Sequence, residues 1–153
     1  MSNPDMRTRS PVPLDQCGTV AAANVIGDRW SLLIIREAFY GVKRYDDIRD
    51  DINIPRSVLT SRLKRLVEHG ILEREAYREE GARTRYAYVL TKAGKELGLV
   101  LLALAQWGDK YERRKKPAIR ILDAKTKRPL KVGLIEKSDP GRPLSKIIIK
   151  PNL

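Results

Sequence analysis

The stretch from Pro55 to Gly70, Pro-Arg-Ser-Val-Leu-Thr-Ser-Arg-Leu-Lys-Arg-Leu-Val-Glu-His-Gly, constrains this chain more than any other. Pro55 suits the first turn of a helix, where its missing N–H costs nothing, and Gly70 suits the left-handed residue just past a helix end. Leu59, Leu63, Leu66 and Val67 recur at three- and four-residue spacing, which predicts one buried helical stripe. The other side carries Arg56, Ser57, Thr60, Ser61, Lys64 and Arg65, with no carboxylate before Glu68. An ordinary solvated helix mixes charge signs. Cations, hydroxyls and small groups are instead the chemistry of a helix that lies against phosphates and base edges.

The flanking segments extend that expectation. Upstream, Cys17–Ile26 is small and apolar, with Asp15 as a candidate cap and Gly27 as its stop. Asp28-Arg29 then opens an apolar helix from Trp30 to Tyr40, ended by Gly41, in which Trp30 and Phe39 are expected in the core. A short helix at about 44–51 turns Tyr45 and Ile48 inward and carries the acidic cluster Asp46, Asp47, Asp50 and Asp51. These carboxylates have no histidine or nucleophile beside them, so a solvated surface is expected, not acid–base chemistry. Asp51-Ile-Asn-Ile-Pro is a tight turn, and short helix, turn and basic helix together make a helix-turn-helix. Downstream, Ile71–Arg78 and Thr84–Leu90 read as two strands joined by a turn at Gly81, with Tyr86 and Tyr88 on one face. A hairpin in that position is a wing. Arg83 and Arg85 near its tip are candidate DNA contacts, diluted by Glu79 and Glu80.

Thr91 is a good N-cap for a long helix from Lys92 to about Glu112. Its apolar residues cover more than one stripe, and an exposed apolar surface of that width marks a subunit interface. Leu97, Val100, Leu101, Leu104 and Trp107 are the expected dimer contacts, with help from the small-residue helix around Ala21–Ala23. Beyond it, three apolar runs beginning at Ala118, Leu130 and Leu144 predict a small antiparallel sheet. The expected organisation is therefore a disordered arm over 1–14, a winged-helix and dimerisation domain over 15–112, and a basic β-rich extension over 113–153. The fold class is α+β, mostly helical.

Charge sharpens the division. Of a net +12, residues 113–153 contribute most, with 13 Lys/Arg against 3 Asp/Glu, while residues 1–112 hold 18 against 16. A polyanionic partner follows from the surplus. In the extension it can serve DNA contact or, as edge-strand lysines, protection against aggregation. A single cysteine, Cys17, excludes an intramolecular disulfide and a cysteine-based zinc site, and the one histidine, His69, suits a helix C-terminus. No catalytic residue, metal or cofactor is expected, no run is long enough to span a membrane, and a cytoplasmic protein is read from the absence of a secretory apolar region.

Several ordered fragments now resemble one family: Cys17 before the first helix, Val25-Ile-Gly-Asp-Arg-Trp-Ser-Leu-Leu-Ile, Arg44-Tyr-Asp-Asp-Ile, Leu59-Thr-Ser-Arg-Leu-Lys-Arg-Leu, His69-Gly-Ile-Leu, Tyr86 with Leu90-Thr-Lys-Ala-Gly, and Trp107-Gly. From about Cys17 to Tyr111 the chain resembles the HxlR-type winged-helix transcription regulators, relatives of the MarR type. The resemblance implies a homodimer on pseudo-palindromic double-stranded operator DNA, with 55–68 in the major groove and repression as the expected mode. It also implies an oxidant or small-molecule effector, because some members sense oxidants through the cysteine at the Cys17 position. Here Cys17 precedes Gly18-Thr19 where the family commonly has proline, and Pro55 replaces the family's usual serine. The competing expectation is a winged-helix module that binds protein or RNA without operator specificity.

Overall fold

The computed structural model describes residues 9–152, and it divides the chain into two compact units, Met1–Val89 and Leu90–Leu153. The expected arm over 1–14 falls mostly outside the described residues. Its visible end leads into a single 3-10 turn at Leu14–Gln16.

Among the described residues, the first unit contains four α-helices, α1 (Gly18–Ile26), α2 (Arg29–Phe39), α3 (Tyr45–Ile52) and α4 (Arg56–Glu68), and a two-stranded sheet of β1 (Leu72–Tyr77) and β2 (Arg85–Leu90), whose last residue opens the second unit. Asp15 does not cap α1; Cys17 occupies the N-cap position, because the turn at 14–16 ends one residue before the helix. Gly27 closes α1 for a steric reason, since a Cβ there would lie 2.3 Å from the Ala23 carbonyl oxygen. α2 starts as its sequence predicts. Asp28 accepts the Ser31 N–H at 3.1 Å and the Ser31 hydroxyl at 2.6 Å, satisfying a donor that the helix itself leaves orphaned.

The core of this unit lies where α4 meets α2 and β1. Leu59, Leu63 and Leu66 are fully buried against it, with Ile34 and Ile35 from α2, Ile48 from α3, Ile54 from the turn and Leu72 from β1. Truncating one such leucine to alanine costs roughly 2–5 kcal/mol, a large share of a small domain's margin. The turn between α3 and α4 works through Asn53, which adopts the left-handed conformation (φ +51°) that asparagine tolerates better than most residues. Pro55 is the N-cap of α4 and not its first helical residue, and Gly70 (φ +68°) turns the chain into β1. A third strand-like segment joins the wing: Arg44 forms an isolated bridge with Ala87, and the Tyr88 N–H bonds the Lys43 carbonyl at 2.8 Å.

The second unit contains α5 (Lys92–Glu96), α6 (Gly98–Gly108), a π-helical turn at Asp109–Arg113, and strands β3 (Ile119–Asp123), β4 (Pro129–Leu130) and β5 (Ile147–Pro151). The single long helix read from the sequence is thus broken at Leu97. Gly94 and Gly98 flank the break, and each glycine costs a helix about 1 kcal/mol relative to alanine. The sheet is antiparallel in the order β4-β3-β5, with Ile121 opposite Leu130 and Ile149. The run expected as a strand over 130–135 pairs only through Pro129–Leu130. Beyond it, the Val132 backbone meets the Gln106 side chain instead, at 2.9 and 3.0 Å.

Candidate nucleic-acid interface

α4 sorts its residues into two half-cylinders. At about 100° per residue, Leu59, Leu63 and Leu66 occupy one side; Ser57, Thr60, Ser61, Lys64 and Arg65 occupy the other, joined by Arg56, which lies at the edge of the leucine side and reaches solvent because it is the first residue of the helix. All six of the latter are exposed. The buried leucines fix the helix's rotation, so the composition of the exposed side is a consequence of packing.

Two devices set the position of α4 further. Tyr45, from α3, donates its hydroxyl to the Arg56 carbonyl at 2.9 Å and lies 3.0 Å from the Thr60 hydroxyl. A phenol has one proton, so Thr60 is then the donor in the second contact and keeps a lone pair for an outside donor. The first turn of α4 is thereby pinned to the helix before it. The second device is Arg62, whose Nε bonds Asp28 Oδ1 at 2.9 Å and so ties α4 to the cap of α2. Burial works to raise the Asp28 carboxyl, but the bonds from Ser31 and Arg62 outweigh it and hold that group below the ordinary carboxylate range. Neither Tyr45 nor Arg62 figures among the binding residues expected from sequence. A signal for Arg62 is present, since its neighbours Leu59, Leu63 and Leu66 put it near the buried side of α4.

The other expected contacts differ in their surroundings. Arg56, Ser57 and Ser61 are exposed at the N-terminal half of the helix. Lys64 is 3.8 Å from Glu68 across one helical turn, a loose pair in solvent. Arg65 donates to the Asn24 carbonyl of α1, which draws its guanidinium to the flank. In the wing, Arg83 is exposed, while Arg85 sits 3.9 Å from Asp46 of α3. Arg44 bridges to Glu79 near the wing tip at 2.7 Å and lies over the Tyr77 ring. The acidic face of α3 is partly neutralised from within, since Arg49 pairs with both Asp46 and Asp50.

Cys17 is half-exposed at the start of α1. The N–H groups of Val20 and Thr19 favour its thiolate and hold the thiol below the ordinary cysteine value. In the second unit, Val100, Leu104 and Trp107 form an exposed ridge on α6, 42%, 46% and 57% accessible, whereas Leu97 and Leu101 are half-buried. Among the described residues, no group of three or more His, Cys, Asp or Glu side chains could hold a metal ion, and no helix is long and apolar enough to cross a membrane.

Comparison with known proteins agrees with this geometry. The family model for the HxlR-like helix-turn-helix matches residues 25–116. An uncharacterised helix-turn-helix-type transcriptional regulator of Mycobacterium tuberculosis is 43% identical over 101 residues, 65% of this chain, and the match spans 63% of that relative's length. The crystal structure of PA1607, described as a candidate transcription factor, superposes with a TM-score of 0.67 at 31% identity, covering 84% of this chain and 88% of that one. The redox regulator HypR in its reduced form gives 0.56 at 27% identity, covering 61% and 92%. The winged helix-turn-helix built around α4 and the match over residues 25–116 together place this chain in the HxlR-like helix-turn-helix family of transcriptional regulators.

Proposed function

We propose that the protein acts as a homodimer that represses transcription by binding pseudo-palindromic operator DNA, with α4 in the major groove and the wing on the flanking backbone. The observation that carries this reading is the exposed half-cylinder of α4. Arg56, Ser57, Thr60 and Ser61 face outward at its N-terminal end, the end that enters the groove in helix-turn-helix proteins. Arg56 and the hydroxyls read bases, while Lys64 and the wing arginines neutralise phosphate. The apolar ridge on α6 supplies the dimer contact, and a two-fold axis then addresses half-sites about 34 Å apart. Cys17, with its depressed thiol, is the oxidant-responsive position.

Selection of bound sequences from random double-stranded DNA at fixed salt tests the proposal. A two-fold symmetric motif is the expected result. Weak binding with no enriched sequence would instead identify a winged helix that serves protein or RNA interaction.

A further inference from the structure

The second unit holds a cavity of about 480 Å³ between α6 with its π-helical turn and the β3–β4 sheet, within the size range of small-molecule sites. Its walls are apolar: Leu102 and Ala105 from the helix, and Ile119, Ile121, Leu122 and Leu130 from the strands. Five cations surround it, Lys110, Lys115, Lys116, Arg120 and Lys131, against a single carboxylate, Asp109. That carboxylate is already bonded to Arg113 one turn further on. Two Gln106 contacts to Val132 hold the strand side against the helix, at 3.0 and 2.9 Å, so the space is framed by hydrogen bonds and not only by loop packing.

The cavity and the exposed ridge use different sides of α6. At about 100° per residue, Leu102, Ala105 and Gln106 cluster on one side of the helix axis, and Val100, Leu104 and Trp107 on the opposite side. A dimer formed through the ridge therefore leaves the cavity open. An apolar interior under a rim of unopposed ammonium and guanidinium groups selects a ligand with the converse pattern. Its apolar body would leave water, and its single negative head would remain at the rim.

We propose that this cavity is a binding site for an apolar monocarboxylate, with the carboxylate held by Lys115 and Lys116 and the hydrocarbon against Ile121 and Leu130. The site lies within the second unit and is independent of the DNA-binding reading. Calorimetric titration of the full chain with decanoate tests it, with 1-decanol as the neutral match. The expected result is saturable binding of one decanoate per chain, at least tenfold tighter than the alcohol. The exposed pair K115E/K116E should weaken binding at least tenfold, and I121W, which fills the interior, should abolish it. Circular dichroism melting checks that each variant is folded. If I121W fails to fold, the lysine pair decides alone, because both side chains are exposed. No saturable binding, equal affinity for the alcohol, or undiminished binding to a folded K115E/K116E variant overturns the proposal.

Discussion

At the residue scale, Tyr45 and Arg56 allow the proposed readout to be tested apart from positioning. Arg56 is exposed at the first turn of α4, so Arg56→Ala should relax sequence preference and cost about 1–3 kcal/mol on the selected operator. Equal losses on operator and random DNA would mark it as a phosphate contact only. Tyr45→Phe removes one hydroxyl that holds the Arg56 carbonyl and meets Thr60. The two bonds are exposed and contribute at most about 0.5–1.5 kcal/mol each to folding, so the melting point should fall by a few degrees. Operator affinity should drop more than non-specific affinity, as competition binding would measure. Cys17 belongs to the same scale. Its thiol is held low by two backbone N–H groups, so alkylation should proceed faster than for a free thiol at pH 7. Oxidant should release operator from the native chain and leave Cys17→Ser bound; identical behaviour of the two proteins would remove the sensing role.

At the element scale, the extension depends on one carboxylate. Asp123, at the end of β3, accepts the backbone N–H groups of Thr126 at 2.8 Å and Lys125 at 2.9 Å, and Arg142 reaches it at 2.7 Å. The Thr126 bond leads in lowering its carboxyl from 3.8 to about 2, against an opposing effect of burial. A group with a depressed folded-state value stabilises the fold above its unfolded value, and that contribution disappears as pH falls through about 2. The Thr126 amide signal should therefore titrate with a midpoint near 2 in acid, and a midpoint near 3.8 would refute the account. Asp123→Asn should remove this acid sensitivity from the melting curve. Some local signals held and others did not: Asp15 does not cap α1, and the helix expected from Lys92 is broken at Leu97. The α2 cap at Asp28, the turn glycine Gly70 and the wing turn at Gly81 are short-range features, and each appears where its residue type predicts. The β4 strand stops early because Gln106, a residue 26 positions away from Val132, takes the backbone that the ladder would have used.

At the scale of the whole molecule, the question is what covers the α6 ridge. Trp107 packs at a tilt against Tyr111, 5.6 Å between ring centroids, and both rings remain half exposed or more, a large apolar area for a solvated helix. Replacing both Leu104 and Trp107 by glutamate should shift sedimentation from a dimer to a monomer. Operator affinity should fall at least tenfold while the circular dichroism spectrum stays unchanged. A dimer that survives the double substitution would place the subunit contact elsewhere, with the small-residue helix α1 as the next surface to test.

The sequence by itself determined the order of elements, the buried stripe of α4 and the cationic, hydroxyl-rich face opposite it, because helical period, caps and turn residues act over a few positions. It also carried the family, since those local signals occur in a fixed order along the chain. Only the tertiary structure decided which polar groups of α4 and the wing remain available. Arg65 turns to Asn24, Arg85 approaches Asp46, Thr60 bonds Tyr45 and Arg62 anchors to Asp28, and each partner lies at least 15 residues away in the chain. Charge pattern names the candidate DNA contacts, but long-range hydrogen bonds set which of them are held in place and which still face outward.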